Sequence, residues 1–205
     1  MGECLLWSNA SGAAMIWFTG DTHFGHAAII LHCTRPFETL EEMDDTLVRN
    51  WNSVIAEKDE VWHLGDFAYG GFDRVHDYAD RLNGRINVLV GNHDKKSILM
   101  RVFGDDHVFD TKYLRHEGKR FWLSHYAHRC WPSSHHGTYH LFGHSHGQMP
   151  NYGRSMDVGV DSSDATYAKR GFHPISMGKV IILLEKGDIV VHHTGMDGLM
   201  SGVTS

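Results

Sequence analysis

The sequence predicts a layered α/β or α+β sandwich. Short apolar runs of strand length recur along the chain, and stretches of helical periodicity fall between them. Further strand-like runs then gather towards the C-terminal end.

The strand patterns are IWFTG at 16–20, VWHLG at 61–65, INVLVG at 86–91, FWLS at 121–124 and YHLFG at 139–143. Each is an apolar run bounded by glycine or polar residues, as a buried strand requires. Between the first two lies TLEEMDDTLVRNWNSVIA. Thr39 and Glu42 have capping-box spacing, and Leu40, Met43, Leu47, Trp51 and Val54/Ile55 form a helical stripe. FDRVHDYADRLNG predicts a second helix, with Asp73 as N-cap, an apolar face of Val75, Tyr78, Ala79 and Leu82, and Gly84 as the stop. DKKSILMRVFG predicts a third, shorter one. MDVGVD, KVIILLE and DIVVHH read as three late strands, the last two joined by a turn at Lys186-Gly187.

A chain of 205 residues suits one domain. Its expected bounds are 15–194, after a loosely ordered leader at 1–14 (with Met15 an alternative start) and before a loose tail at 195–205. The net charge of −6 gives no sign of a broad nucleic-acid-binding surface. Cys4, Cys33 and Cys130 are scattered and form no Cys-x-x-Cys pair, so neither a thiolate zinc site nor a disulfide framework is indicated, and a reducing cytoplasm is expected. No apolar run reaches the ~20 residues that span a bilayer. Histidine is the anomaly: 18 are dispersed along the chain, and imidazole is the commonest protein metal ligand.

Placement gives those histidines meaning. The five strand patterns lead in turn into Asp21 and His23, Asp66, Asn92 and His93, His125, and His144 and His146. In open α/β sheets the carboxyl ends of strands are where sites form. Taken singly, Gly-Asp and Gly-Asn pairs are ordinary turn chemistry. Together they make a nitrogen and oxygen ligand set without sulfur. It is too large for one tetrahedral zinc and suits two borderline divalent metals sharing a carboxylate.

The ordered set DTH at 21–23, GD at 65–66, GNHD at 91–94, His125 and GHSH at 143–146 resembles the calcineurin-like metallophosphoesterase family, over about Ile16 to Val160. FTGDTHFGHAAII, CTRPF and LGDF are similar to its small single-domain bacterial and phage branch. The resemblance implies an α/β fold, a four-layer αββα sandwich of two mixed sheets flanked by helices, with two divalent ions (manganese favoured over iron, nickel, cobalt or zinc). Asp21, His23 and His146 would hold the first ion, Asn92, His125 and His144 the second, and Asp66 would bridge them. His93 would bind no metal and face the substrate. The implied reaction is hydrolysis of a phosphodiester or small phosphomonoester, nucleotides included, by a metal-bound hydroxide, with His93 assisting the leaving group. Two alternatives use related folds. One is a non-catalytic interaction module, against which the intact His93 argues. The other is a nuclease, whose relatives carry DNA-binding regions that this chain does not show.

Four neighbours join the set as candidates. His26 and Arg35 would contact a phosphate, since arginine offers anions a bidentate fork. His128 would line the cleft. Asp94 would cap the helix that follows, the slightly favoured reading, or brace the ligand loop. His63 is expected to pack, and Asp161 and Tyr167 follow a strand that could end at the site's rim. One departure stands out. The phosphoprotein phosphatase branch has an aspartate three residues after the bridging carboxylate, paired with the catalytic histidine, and here that position is Tyr69.

Overall fold

The computed structural model describes residues 13–162 and 171–190. Residues 1–12, most of the expected leader, lie outside them, as do the tail, Tyr167 and the second half of the DIVVHH run.

The chain opens with strand β1 (Ile16–Thr19), a short helix α1 (Ala28–His32) and the long helix α2 (Leu40–Val54). Thr39 caps α2 by accepting the Glu42 backbone N–H at 3.1 Å, and the Glu42 carboxylate accepts from the Glu38 N–H at 2.9 Å, so two N-terminal donors are satisfied. Strand β2 (Glu60–His63), helix α3 (Phe72–Ala79), strand β3 (Arg85–Leu89), helix α4 (Lys96–Phe103) and strand β4 (Val108–Phe109) follow. The N-cap of α3 is Gly71, not Asp73. Asp73 lies instead in the first turn, where its charge still faces the positive end of the helix.

Strands β5 (Thr111–His116), β6 (Lys119–Ser124), β7 (Tyr139–Phe142) and β8 (Ser155–Asp157) come next, then β9 (Ile175–Ser176) and helix α5 (Met177–Leu184). Here the expectation of a late strand at KVIILLE fails. Met177, Val180 and Leu184, spaced three and four apart, are the buried residues, while Ile182 is 45% exposed. Ser176 supplies the N-cap by accepting the Lys179 N–H, and Gly187 closes the C-terminal turn on the Leu184 carbonyl instead of making a hairpin. An unbroken apolar run does not distinguish strand from buried helix by periodicity, and the cap decided it.

The strands form two mixed sheets flanked by helices. The first has order β4-β3-β2-β1-β9, parallel except for β9, and the second has order β5-β6-β7-β8 with only β5 antiparallel. Between them lies a core including Phe18, Trp62, Leu64 and Leu89 from the first sheet side and Phe121, Leu123, Tyr139 and Leu141 from the second. A second core joins Trp17, Val61, Ile86 and Val88 to Met43, Leu47 and Trp51 of α2, Val75 of α3 and Leu99 of α4. Alternate strand residues therefore serve opposite faces, and both faces of the first sheet are covered. Among the described residues no helix is long and apolar enough to cross a membrane.

Candidate metal centre

Parallel β1, β2 and β3 and parallel β6 and β7 bring five loops together. Beyond β1 and β2 the backbones stay paired: Asp21 N–H donates to Gly65 O at 2.9 Å, His23 N–H to Asp66 O at 3.0 Å and Phe24 N–H to Phe67 O at 3.0 Å. The loop after β7 is tied to the loop after β6 through Gly143 N–H and His125 O at 3.0 Å. Its His144 N–H also straddles both Asp21 carboxylate oxygens at 3.0 and 2.9 Å.

Asp21, His23, Asp66, His144 and His146 all have left-handed backbone, with φ between 47° and 65°. Residues with a Cβ adopt that region at a cost, and such strain gathers where side-chain aim matters more than stability. Glycine allows the close approach that follows. A Cβ on Gly91 would overlap the Asp66 carboxylate and backbone N, and one on Gly143 would come within 2.8 Å of Asp21 Oδ2.

The ligand-type atoms fall into two groups. Those of Asp21, His23 and His146 lie within 4.8 Å of one another, and so do those of Asp66, His125 and His144. Asp66 Oδ2 lies between them, 3.4 Å from His23 Nε2 and 3.5 Å from His125 Nε2. Asn92 Oδ1 is 2.9 Å from both His125 Nε2 and His144 Nδ1. The first group is largely buried, whereas Asn92 and His144 are exposed, so the second opens to solvent.

Two observations test whether a divalent cation fits. His23 Nε2 is buried without a hydrogen-bond partner, which a native protein rarely tolerates unless something unseen satisfies the atom. His125 Nδ1 lies 2.8 Å from Leu64 O, an acceptor, so the neutral ring carries its proton there and turns the Nε2 lone pair on Asn92 Oδ1, another acceptor. A cation between two such acceptors resolves the conflict. The residues fit the group.

The electrostatics agree. Burial and the neighbouring Asp157 push the Asp21 carboxyl up to about 7, and burial drives His23 down to about 3. Burial raises Asp66 as well, but the hydrogen bond and charge of His125 overcome it and bring it to about 2. Burial lowers His146, yet Asp161 carries it up to about 10. A pocket of carboxylates and imidazoles competing for protons is one in which positive charge is missing.

No protein-family model matches the chain. It is 31% identical over 177 residues to "Uncharacterized protein MJ1445" of Methanocaldococcus jannaschii, spanning 85% of this chain and 94% of that one. The chain belongs to the MJ1445 family. A solved structure, the protein of unknown function AQ665 from Aquifex aeolicus, matches with a TM-score of 0.64 at 25% identity, over 83% of this chain and all of that one. An archaeal phosphodiesterase is similar more loosely, with a TM-score of 0.45 at 18% identity over 79% of this chain and 99% of that one.

Around the two groups, the other sequence candidates separate. His93 is exposed; its backbone N–H donates to Asp66 Oδ1 at 2.8 Å, and its ring lies 5.1 Å from that of His23 and 5.5 Å from that of His26. His26 is also at the site, with Nδ1 3.2 Å from His23 Nδ1. Arg35 is not available to a substrate as expected. It is buried, and its five N–H donors are taken by both Asp161 oxygens, the Asp21 and Thr22 carbonyls and Met43 Sδ. His128 is half-buried; Trp122 Nε1 donates to its Nδ1, and its backbone N–H donates to His140, so these contacts tie it to the second sheet. His63 packs as anticipated, fully buried with Nε2 on the Thr22 hydroxyl.

Asp94 does not cap α4, whose N-cap is Lys95. Its carboxylate instead accepts the backbone N–H groups of Asp66 (2.7 Å), Gly91 (2.8 Å) and Phe67 (3.0 Å), joining two ligand loops. Burial pushes its carboxyl up to about 6 against the pull of those donors. Sequence reasoning missed Asp157, which accepts from Ser145 Oγ at 2.5 Å and Gly147 N at 3.0 Å and so sets the GHSH loop. It also left Asp161 without a role. The signal available was two aspartates four residues apart in one short stretch, MDVGVD, the second of them at its end.

Proposed function

We propose that the chain is a calcineurin-like metallophosphoesterase that uses two divalent cations, manganese favoured, to hydrolyse a phosphodiester or small phosphomonoester. One observation carries the reading: two groups of ligand-type side chains meet at Asp66, with five of the seven proposed ligands held in left-handed backbone. Asp21, His23 and His146 would hold one cation, Asn92, His125 and His144 the other, and Asp66 both. When bound, such a pair neutralises phosphoryl oxygens and makes a water acidic enough to attack near neutral pH.

The chain's own residues do the rest. Asp66 Oδ1 is engaged by the His93 N–H, which leaves Oδ2 directed between the groups. Leu64 O fixes the His125 tautomer, so that Nε2 presents its lone pair to the site. Asn92 contributes a neutral oxygen and so adds no charge against an anionic substrate. The His93 ring, exposed beside His23, is placed to give its proton to the departing oxygen. As the water oxygen bonds to phosphorus it gives up a proton to solvent, the bond from phosphorus to the departing oxygen breaks as that oxygen takes the His93 proton, and His93 is reprotonated from solvent.

The test is metal analysis of the purified protein, then hydrolysis of mono- and diesters before and after chelation and manganese return. We expect about two ions per chain. His93→Ala should keep the ions and lose about 10²–10⁴-fold in kcat. Protein with both ions bound that hydrolyses nothing across a broad panel sinks the reading.

A further inference from the structure

The phosphoryl site has a cavity beside it, on the side of His93. It measures about 180 Å³ and is lined by Ala68, Tyr69, Val75, His93, Lys95 and Ile98, among others. Its walls come from the loops after β2 and β3, from α3 and from α4. We propose that this cavity is the subsite for the departing alcohol, and that it accepts a substrate whose leaving group carries one planar ring. The proposal rests on the phosphoesterase reading above, because it takes His93 to mark the leaving-group side.

Three features select the ligand class. Val75, Ile98 and Ala68 make part of the wall apolar, which gives the hydrocarbon face of a ring a surface to lie against. Tyr69 is 52% exposed although its ring is stacked on His26, with centroids 4.7 Å apart and planes 16° from parallel. A tyrosine backed in this way is a rigid shelf, and an aromatic guest can pair with it at little entropic cost. His26 touches both Tyr69 and His93, so the shelf is continuous with the proton donor. The volume sets the upper limit. It lies below the roughly 300 Å³ at which drug-sized sites begin, so the cavity takes one ring and excludes a large polymer segment.

Lys95 adds a charge. It is exposed at the cavity and has no salt-bridge partner among the described residues, whereas its neighbour Lys96 is paired with Asp110. An anionic substituent on the ring would meet it.

The experiment separates ring binding from turnover. Phenylphosphonate and methylphosphonate are titrated calorimetrically into the manganese-loaded full-length protein, for wild type, Tyr69→Ala and Ile98→Trp. We expect wild type to prefer the phenyl compound by about tenfold or more. Tyr69→Ala, at an exposed position, should cut that preference about threefold to tenfold, and Ile98→Trp, by filling the cavity, should abolish it. Equal binding of the two phosphonates by wild type overturns the subsite, as does an unchanged preference in Tyr69→Ala. In parallel, methyl phenyl phosphate is assayed for hydrolysis. A ring preference that depends on Tyr69, without hydrolysis of this ester or of the wider mono- and diester panel, leaves a ring-binding site but overturns its assignment to a departing alcohol together with the enzyme reading. Hydrolysis without ring preference does the reverse.

Discussion

Arg35 and Asp161 meet across 126 residues of sequence in a two-point ion pair, Nε to Oδ1 at 2.9 Å and Nη2 to Oδ2 at 2.7 Å. The pair is tied to both ends of the proposed first ligand group. The same guanidinium holds the Asp21 and Thr22 carbonyls, and Asp161 Oδ2 accepts from His146 Nδ1 at 2.7 Å. A strained DTH backbone is thereby held from behind, and the His146 ring is oriented from the side. The geometry makes Arg35 a positioning residue.

Lysine cannot replace it. One ammonium has three donors at a point, where five acceptors now surround a planar fork. Arg35→Lys should destabilise the fold by about 1–3 kcal/mol in urea unfolding, since the charge is kept but some of the buried acceptors lose their donor. Manganese affinity should fall in the same variant. Asp161→Asn should show both effects, and the double variant should cost clearly less than the sum of the two. Additive losses would mean that the pair does not act as a unit.

Asp94 makes a sharper case, because the substitution is nearly isosteric. Its two oxygens accept three backbone N–H groups from two ligand loops. In Asp94→Asn one oxygen becomes an NH₂ group, so at least one N–H faces a donor. We expect a loss of about 1–3 kcal/mol in stability and a fall in manganese affinity of about 10–100-fold. If asparagine supports wild-type metal binding, the carboxylate is not what joins the loops.

Gly91 allows the neighbouring contact. Any Cβ there meets the Asp66 backbone as well as its carboxylate, and backbone cannot swing aside. Gly91→Ala should cost about 1–3 kcal/mol, as overpacking typically does, and should lower metal content. Full occupancy in this variant, measured by metal analysis, would show that the loop yields more easily than the contact implies.

These residues also mark what the sequence could reveal. The proposed ligands were legible because each follows an apolar run and because their residue types are the chemistry itself. The sheets were legible for the same reason: buried parallel strands read as unbroken apolar runs. Arg35 was misread because an arginine in a loop looks alike whether it meets solvent or a distant aspartate, and Asp161 is distant in sequence. Helix α5 was missed because its length and composition also suit a strand, and its Ser176 cap is a single serine. For Arg35 a tertiary contact decided what local pattern left open, and for α5 a local cap did.

His140 gives the pH prediction. It lies on β7 and is fully buried. The His128 backbone N–H donates to Nε2 at 2.9 Å, so Nε2 must carry a lone pair, and the proton sits on Nδ1, facing the Trp122 carbonyl at 3.1 Å. A second proton would have to point at an N–H. Burial lowers the group to about 4, from an ordinary 6.5. Between those values the unfolded chain binds a proton that the folded chain refuses, so stability rises with pH there. The contribution is present in full above 6.5 and is lost as pH falls through about 4. It amounts to about 2–4 kcal/mol. His63, lowered by burial to about 3, acts in the same direction, so the test is a difference. Urea unfolding of wild type and His140→Gln is compared from neutral to mildly acid pH. The variant is expected to start less stable and to lose less on acidification. Parallel stability curves would show that His140 is as readily charged in the fold as outside it.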